Sequence, residues 1–227
     1  MRVSRYPLLA AALLATLVPG AAAQNGTEVR LYPRLGLASP DAYFYEYFKN
    51  FYGDGPMEWT SGSLGRSFAA GLGAEVSFGG GGILVRAEVL RTFDGWLSSV
   101  HSIERPRVLF EPPQIINTWL DVPTAVTATS LQIVLPTRLE IWRVSPYVLA
   151  GVGGKFYDFG EPTEANEVEA TLPYNGFTWG GDVGAGVTLP FWKGLTLDLQ
   201  VRDALTKYWG KTQHDLYYTT ALLWRVR

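Results

Sequence analysis

The 227-residue chain has no cysteine and only two histidines and two methionines. Without cysteine there is no disulfide framework, no thiolate zinc site and no thiol nucleophile. Charge is also scarce. Lys+Arg number 19 against Asp+Glu 21, for a formal net charge of -2 and 18% charged residues. Nucleic-acid binding needs a basic excess, and none is present. No uncharged apolar run reaches the roughly 20 residues needed for a membrane-crossing helix. What is abundant is hydrophobic (47%) and aromatic (14%) character, with Gly 25, Trp 8 and Tyr 12. That composition excludes disorder and suits a surface apolar on alternate residues rather than in blocks.

The N-terminus reads Met-Arg-Val-Ser-Arg, an apolar stretch from Leu8 to Val18, then Pro19-Gly20-Ala21-Ala22-Ala23-Gln24. A basic start, a short apolar core and an Ala-x-Ala end are the three parts of a secretory signal peptide. Cleavage is expected after Ala23, with one domain from residue 24 to 227. No cysteine follows the cleavage site, so a lipoprotein anchor is not expected.

The rest of the chain divides into eight segments with period-two alternation, the signature of extended backbone. Val29, Leu31, Pro33, Leu35 and Leu37 oppose Glu28, Arg30, Tyr32, Arg34 and Gly36 in the first. The second is Phe68–Phe78 and the third Ile83–Val89, joined by Gly79–Gly82. That connection lacks the helix and Lys-Ser/Thr of a phosphate cradle and is expected to be a tight turn. The fourth runs through Leu131, Ile133, Leu135, Leu139 and Ile141, and two glycine-rich segments follow near Pro146–Asp158 and Phe177–Leu189. Leu195–Arg202 and Leu216–Val226 complete the set. Pro33 and Pro136 cannot donate a ladder hydrogen bond and mark expected breaks. Short connections alternate with four longer gaps, at Ala38–Arg66, Asp94–Thr124, Phe159–Gly176 and Lys207–Gln213. An even number of strands with short turns at one end and long loops at the other predicts an all-β, eight-stranded antiparallel up-and-down transmembrane barrel.

The polar faces carry Glu28, Arg30, Arg34, Glu75, Arg86, Glu88, Asp182, Asp198 and Arg202, joined by Lys155 when the fifth strand is phased inward. Eight strands leave an interior only wide enough for side chains, where an unpaired ion is costly. Arg30, Arg34, Arg86 and Arg202 are therefore expected to bridge Glu75, Glu88, Asp182 and Asp198, a looser and wetter interior being the alternative. Trp142, Trp192 and Trp224 fall at the short-turn ends; Trp96, Trp179 and Trp209 fall at the long-loop ends. Indole rings concentrate at the two rims of a bilayer-embedded barrel.

On these features the chain resembles the small eight-stranded outer-membrane barrels of the OmpA/OmpX type over most of residues 26–226. The resemblance is carried by the signal peptide, the Pro-Tyr-x-x-x-Gly-x-Gly stretch at Pro146–Gly153, Gly184-Ala185-Gly186-Val187 and the alternating last strand. It implies a bacterial outer-membrane location, a monomer, contact with outer-membrane lipid and lipopolysaccharide, and insertion by the barrel-insertion machinery. The family's last strand usually ends on an aromatic, whereas this chain ends Trp224-Arg225-Val226-Arg227.

Two local signals bear on function. In the first long gap, Ser39-Pro40-Asp41 and Gly53 are helix-boundary residues. Tyr43, Phe44, Tyr47, Phe48, Phe51 and Tyr52 recur at helical spacing opposite Glu46, Lys49 and Asn50. The spacing predicts a helix over 40–52 that covers the rim, lids the mouth or grips a hydrophobic ligand. The other signal is the histidines. His214-Asp215 has the form of a base with its acid but is read as a polar rim at a strand start, and Ser98, Ser99 and Ser102 lie near His101, as a lipid A-modifying enzyme would require. No nucleophile elbow accompanies them. Asp158, Glu161, Glu164, Glu167 and Glu169 make the third gap acidic, with a solvated loop favoured over a divalent-cation site. No catalytic residue, metal or cofactor is assigned. The expected role is non-enzymatic, in envelope integrity or surface interaction. The alternatives are a binder of a small hydrophobic molecule or lipid at the mouth, and a lipid A-modifying enzyme.

Overall fold

Among the described residues, alternation builds eleven antiparallel strands: β1 Glu28–Ser39, β2 Tyr45–Lys49, β3 Met57–Leu64, β4 Ser67–Phe78, β5 Ile83–Phe93, β6 Gly95–Arg105, β7 Gln114–Pro136, β8 Ser145–Phe159, β9 Gly176–Trp192, β10 Leu195–Tyr208 and β11 Lys211–Val226. The computed structural model describes residues 28–41, 44–49, 57–78, 82–105, 114–137, 139, 142–162, 173, 175–208 and 210–226. The expected signal peptide, 1–23, lies outside them.

Eight strands close on themselves in the order β7-β5-β4-β1-β11-β10-β9-β8, and β8 pairs back onto β7. Register at the two closing seams is set by Arg34↔Ala221 between β1 and β11 and by Ser130↔Gly153 between β7 and β8. Full closure leaves no sheet edge within the barrel. Pro33 acts as expected: the β1–β11 ladder skips Tyr32 and Pro33 between Leu31↔Trp224 and Arg34↔Ala221. The fourth barrel strand ends at Pro136, and Leu139, expected on it, is not strand; Ile141 lies outside the described residues.

The remaining strands correct the expected long loops. β2, β3, β6 and the first half of β7 form a four-stranded sheet that continues the barrel wall beyond its rim. The described residues of the first two gaps are thus largely strand. Gly65-Arg66 separates β3 from β4, and Asp94, in the left-handed region at φ 56, separates β5 from β6. The last gap is a tight hairpin in which Tyr208 pairs with Lys211 and Gly210 supplies φ 77.

The helix predicted over 40–52 is absent among the described residues, where Tyr45–Lys49 is β2 paired with β3. Dense aromatic runs satisfy period two as readily as period 3.6, and aromatics favour strands when a neighbouring strand takes up the backbone. Of its six aromatics, Tyr43, Phe51 and Tyr52 lie outside the described residues.

Candidate functional site: the lumen and its two ends

Strand alternation sends one set of side chains inward. Arg34 of β1, Glu75 of β4, Arg86 and Glu88 of β5, Lys155 of β8, Asp182 of β9, and Asp198 and Arg202 of β10 are all buried. Lys155 settles the phase of its strand as inward. At the short-turn end Glu28 touches both Arg225 and Arg30, the latter at 2.7 Å. Arg30 reaches Glu75 at 3.4 Å, and Glu75 holds Arg86 at 2.7 Å. Arg86 meets Asp198 at 3.3 Å; Asp198 meets Arg34 at 2.5 Å; Arg34 meets Glu88 at 2.7 Å. Glu88 contacts Arg202 at 3.2 Å, and Arg202 reaches Asp182 at 3.8 Å. The result is one unbroken chain of alternating charge across the interior.

Neutral groups add further hydrogen bonds. The Tyr147 hydroxyl donates to Asp198 at 2.6 Å, Arg86 donates to Gln200 at 2.7 Å, Arg34 to Thr219 at 2.8 Å and Arg202 to Ser130 at 2.7 Å. Rings lie against the guanidiniums: Arg34 is 5.1 Å from the centre of Tyr32, Arg86 5.1 Å from Tyr147 and Arg202 5.0 Å from Tyr217. Such contacts replace part of the hydration a buried cation loses. Two inward glycines make room for the rings. A Cβ at Gly73 would sit 2.1 Å from Tyr32, and one at Gly186 would sit 2.3 Å from the Tyr147 hydroxyl.

Toward the sheet end, Lys155 pairs with Asp215 at 2.8 Å and donates to the Ala204 carbonyl at 2.6 Å. Asp215 was missed from sequence because His214-Asp215 looks like a unit. Adjacent strand residues face opposite ways. His214 points outward to Asp203 at 2.9 Å, so it and Asp215 do not form a base with its acid. His101 lies on β6, buried, bonded to Thr60 at 2.8 Å. Ser98 and Ser102 bond instead to Asp121 and Asn117 of β7. Ser99 bonds Tyr45 at 2.7 Å, and burial pushes the Tyr45 phenol above its ordinary range.

Above Lys155 the mouth is filled by aromatics. Phe44 stacks on Tyr208 at 5.0 Å and lies 5.0 Å from Tyr157 and 5.9 Å from Phe159. The Phe44 carbonyl accepts from Gln213 at 2.7 Å, and its N–H donates to Gly62 at 2.8 Å. Tyr47 and Phe48, on β2 just after it, are exposed. The short-turn end is open by contrast: a vestibule of about 320 Å³ is lined by Glu28, Arg30, Glu75, Ser77, Tyr147 and Thr188 among others.

The outer surface inverts a soluble protein. Leu31, Leu35, Leu37, Leu72, Ile133, Val152, Val183 and Leu199 are exposed on the barrel wall while arginines fill the centre. Trp96 and Trp179 are exposed toward the sheet end and Trp142, Trp192 and Trp224 at the short-turn end; Trp209 lies outside the described residues. Trp119, not singled out from sequence, is 68% exposed on the protruding sheet. Of the acidic group, Asp158 pairs outward with Arg91 at 3.1 Å, Glu161 is exposed, and Glu164, Glu167 and Glu169 lie outside the described residues.

A closed eight-stranded antiparallel barrel, apolar outside and ionic inside, is a transmembrane β-barrel. The chain is similar to Neisserial surface protein A, with 10% identity, 89% of this chain and 98% of that one covered, and a TM-score of 0.48. It is similar also to the N-terminal β-barrel domain of Pseudomonas aeruginosa OprF (9% identity, 87% and 97% covered, TM-score 0.47) and to the outer membrane protein OprG of the same organism (11%, 86% and 93%, TM-score 0.48). No protein-family model and no curated protein matches the chain.

Proposed function

We propose that the chain is a non-enzymatic barrel of the bacterial outer membrane. On this reading the short turns face the periplasm, the four-stranded sheet stands outside the cell, and the role is envelope integrity or surface interaction. One observation carries it: the barrel is blocked twice, by the ionic chain and by the aromatic cap, while its wall is apolar all round. An exposed apolar wall of that extent is incompatible with a water-soluble monomer. A blocked lumen does not serve passage of solutes, which leaves the protruding sheet as the working surface.

Refolding from urea in the presence and absence of detergent or lipid vesicles tests the reading, followed by planar-bilayer recording. Folding only with amphiphile and no steady large conductance are expected. A monodisperse monomer in plain buffer, or a steady open channel, would overturn it. The reading of a hydrophobic-ligand site at the mouth loses its helical lid, because Phe44 occupies that space itself. Lipid A chemistry is not favoured, since neither histidine is placed with both a serine and an acid.

A further inference from the structure

Every tryptophan at the short-turn end is followed by a basic residue: Trp142-Arg143, Trp192-Lys193 and Trp224-Arg225. None of the other five, at 59, 96, 119, 179 and 209, is. The three pairs share one arc of the rim. Trp142-Arg143 precedes β8, Trp192-Lys193 links β9 to β10, and Trp224-Arg225 closes β11. Leu195 of β10 stands in register with both Trp192 and Trp224, which makes the latter two neighbours across it. Farther round the rim the β4–β5 connection is four glycines in sequence, while Glu28 opens β1 beside Arg225 of β11.

The indoles are 93%, 74% and 67% exposed in the order Trp142, Trp192, Trp224. Arg143 and Lys193 are exposed and hold no ion pair among the described residues. Arg225 is shared with Glu28, the only acid among the described residues at this rim. Backbone conformation supplies an independent sign. Trp142 and Arg143 have φ 54 and 71, two consecutive left-handed residues. A hairpin turn of that kind is normally filled by Asn-Gly, and large side chains there are strained. Gly194 occupies the equivalent kind of position in the neighbouring turn, at φ 79. Turn geometry therefore does not explain why a tryptophan and an arginine stand at 142 and 143.

We propose that the β8–β11 arc of the periplasmic rim binds anionic phospholipid headgroups of the inner leaflet. This rests on the orientation proposed above. Indole N–H groups sit at headgroup depth, and adjacent cations attract phosphate that carries net negative charge. Lipopolysaccharide would lie at the opposite rim and is not the occupant.

The test uses the full barrel in nanodiscs of phosphatidylethanolamine doped with phosphatidylglycerol. Retained lipid is counted by native mass spectrometry, and folding is checked by gel mobility without heating. Wild type is expected to enrich phosphatidylglycerol over the bulk ratio, by about fivefold for each contributing cation. R143Q/K193Q is expected to return to the bulk ratio while still folded, and K207Q, at the other rim, to keep the wild-type ratio. W142N/R143G, with the turn residues the backbone prefers, is expected to fold and lose part of the enrichment. A folded wild type without enrichment, or a folded R143Q/K193Q that retains it, overturns the proposal alone. A wild type that does not insert at all overturns the membrane reading and this proposal with it.

Discussion

Arg34→Ala separates a dry ionic interior from a hydrated one. Its guanidinium, fully buried, contacts Glu88 at 2.7 Å, Asp198 at 2.5 Å and Thr219 at 2.8 Å. After truncation Glu88 keeps Arg202 at 3.2 Å and Asp198 keeps Arg86 at 3.3 Å, so each carboxylate loses its shorter partner. Breaking a buried pair costs about 3–5 kcal/mol, because the charge left behind cannot recover water. The matched control is Arg91→Ala. That arginine pairs with Asp158 at 3.1 Å but with a side chain 33% exposed, and about 1 kcal/mol or less is expected. In micelles, urea titration followed by tryptophan fluorescence should place the Arg34→Ala midpoint about 2 M below wild type, for a slope of about 2 kcal/mol/M. Arg34→Lys keeps the charge without the planar fork and should fall between the two. Equal costs for Arg34→Ala and Arg91→Ala would mean that water solvates the lumen charges, and the plug argument would fail.

Phe44→Ala opens the aromatic cap but leaves the ionic chain intact, so bilayer conductance should stay near wild type; F44A/R34A should raise it, since both barriers are then gone. W142N/R143G should raise the thermal midpoint through relief worth about 1–2 kcal/mol, measured by loss of folded gel mobility on heating. Gly73→Ala places a methyl against Tyr32 and should lower stability by about 1–3 kcal/mol in the same urea assay.

The barrel was legible because its environment imposes period two on every strand: one side meets an apolar phase and the other a crowded lumen. The inward ions could be named from sequence for that reason, including Lys155 once its strand was phased. Their partners were less legible. Tyr32 lies against Arg34 on its own strand, Tyr217 against Arg202 of the adjoining strand and Tyr147 against Arg86 two strands away, and only inward glycines such as Gly73 and Gly186 hint that a neighbouring ring fills the space. Asp215 was hidden by its neighbour. A His-Asp pair draws the eye as chemistry, yet on a strand the two residues face different phases.

The failures cluster where that two-phase constraint ends. Within β5 the even-numbered Arg86, Glu88 and Leu90 are buried; within β6 the odd-numbered Leu97, Ser99 and His101 are. Asp94, between them, shifts the alternation by one residue and ends the pattern on which the strand reading relied. Beyond that point no lipid dictates the outer face. Ser61, Ser63 and Ser98 stand among Phe48, Trp59 and Trp119, a mixture that reads as loop until strand pairing is seen. Trp119, 68% exposed on the first half of β7, stands apart from the ionic chain and the aromatic cap. On the orientation proposed above, this sheet is the part that faces outward, and exposed residues such as Trp119 are where that proposal places surface contact.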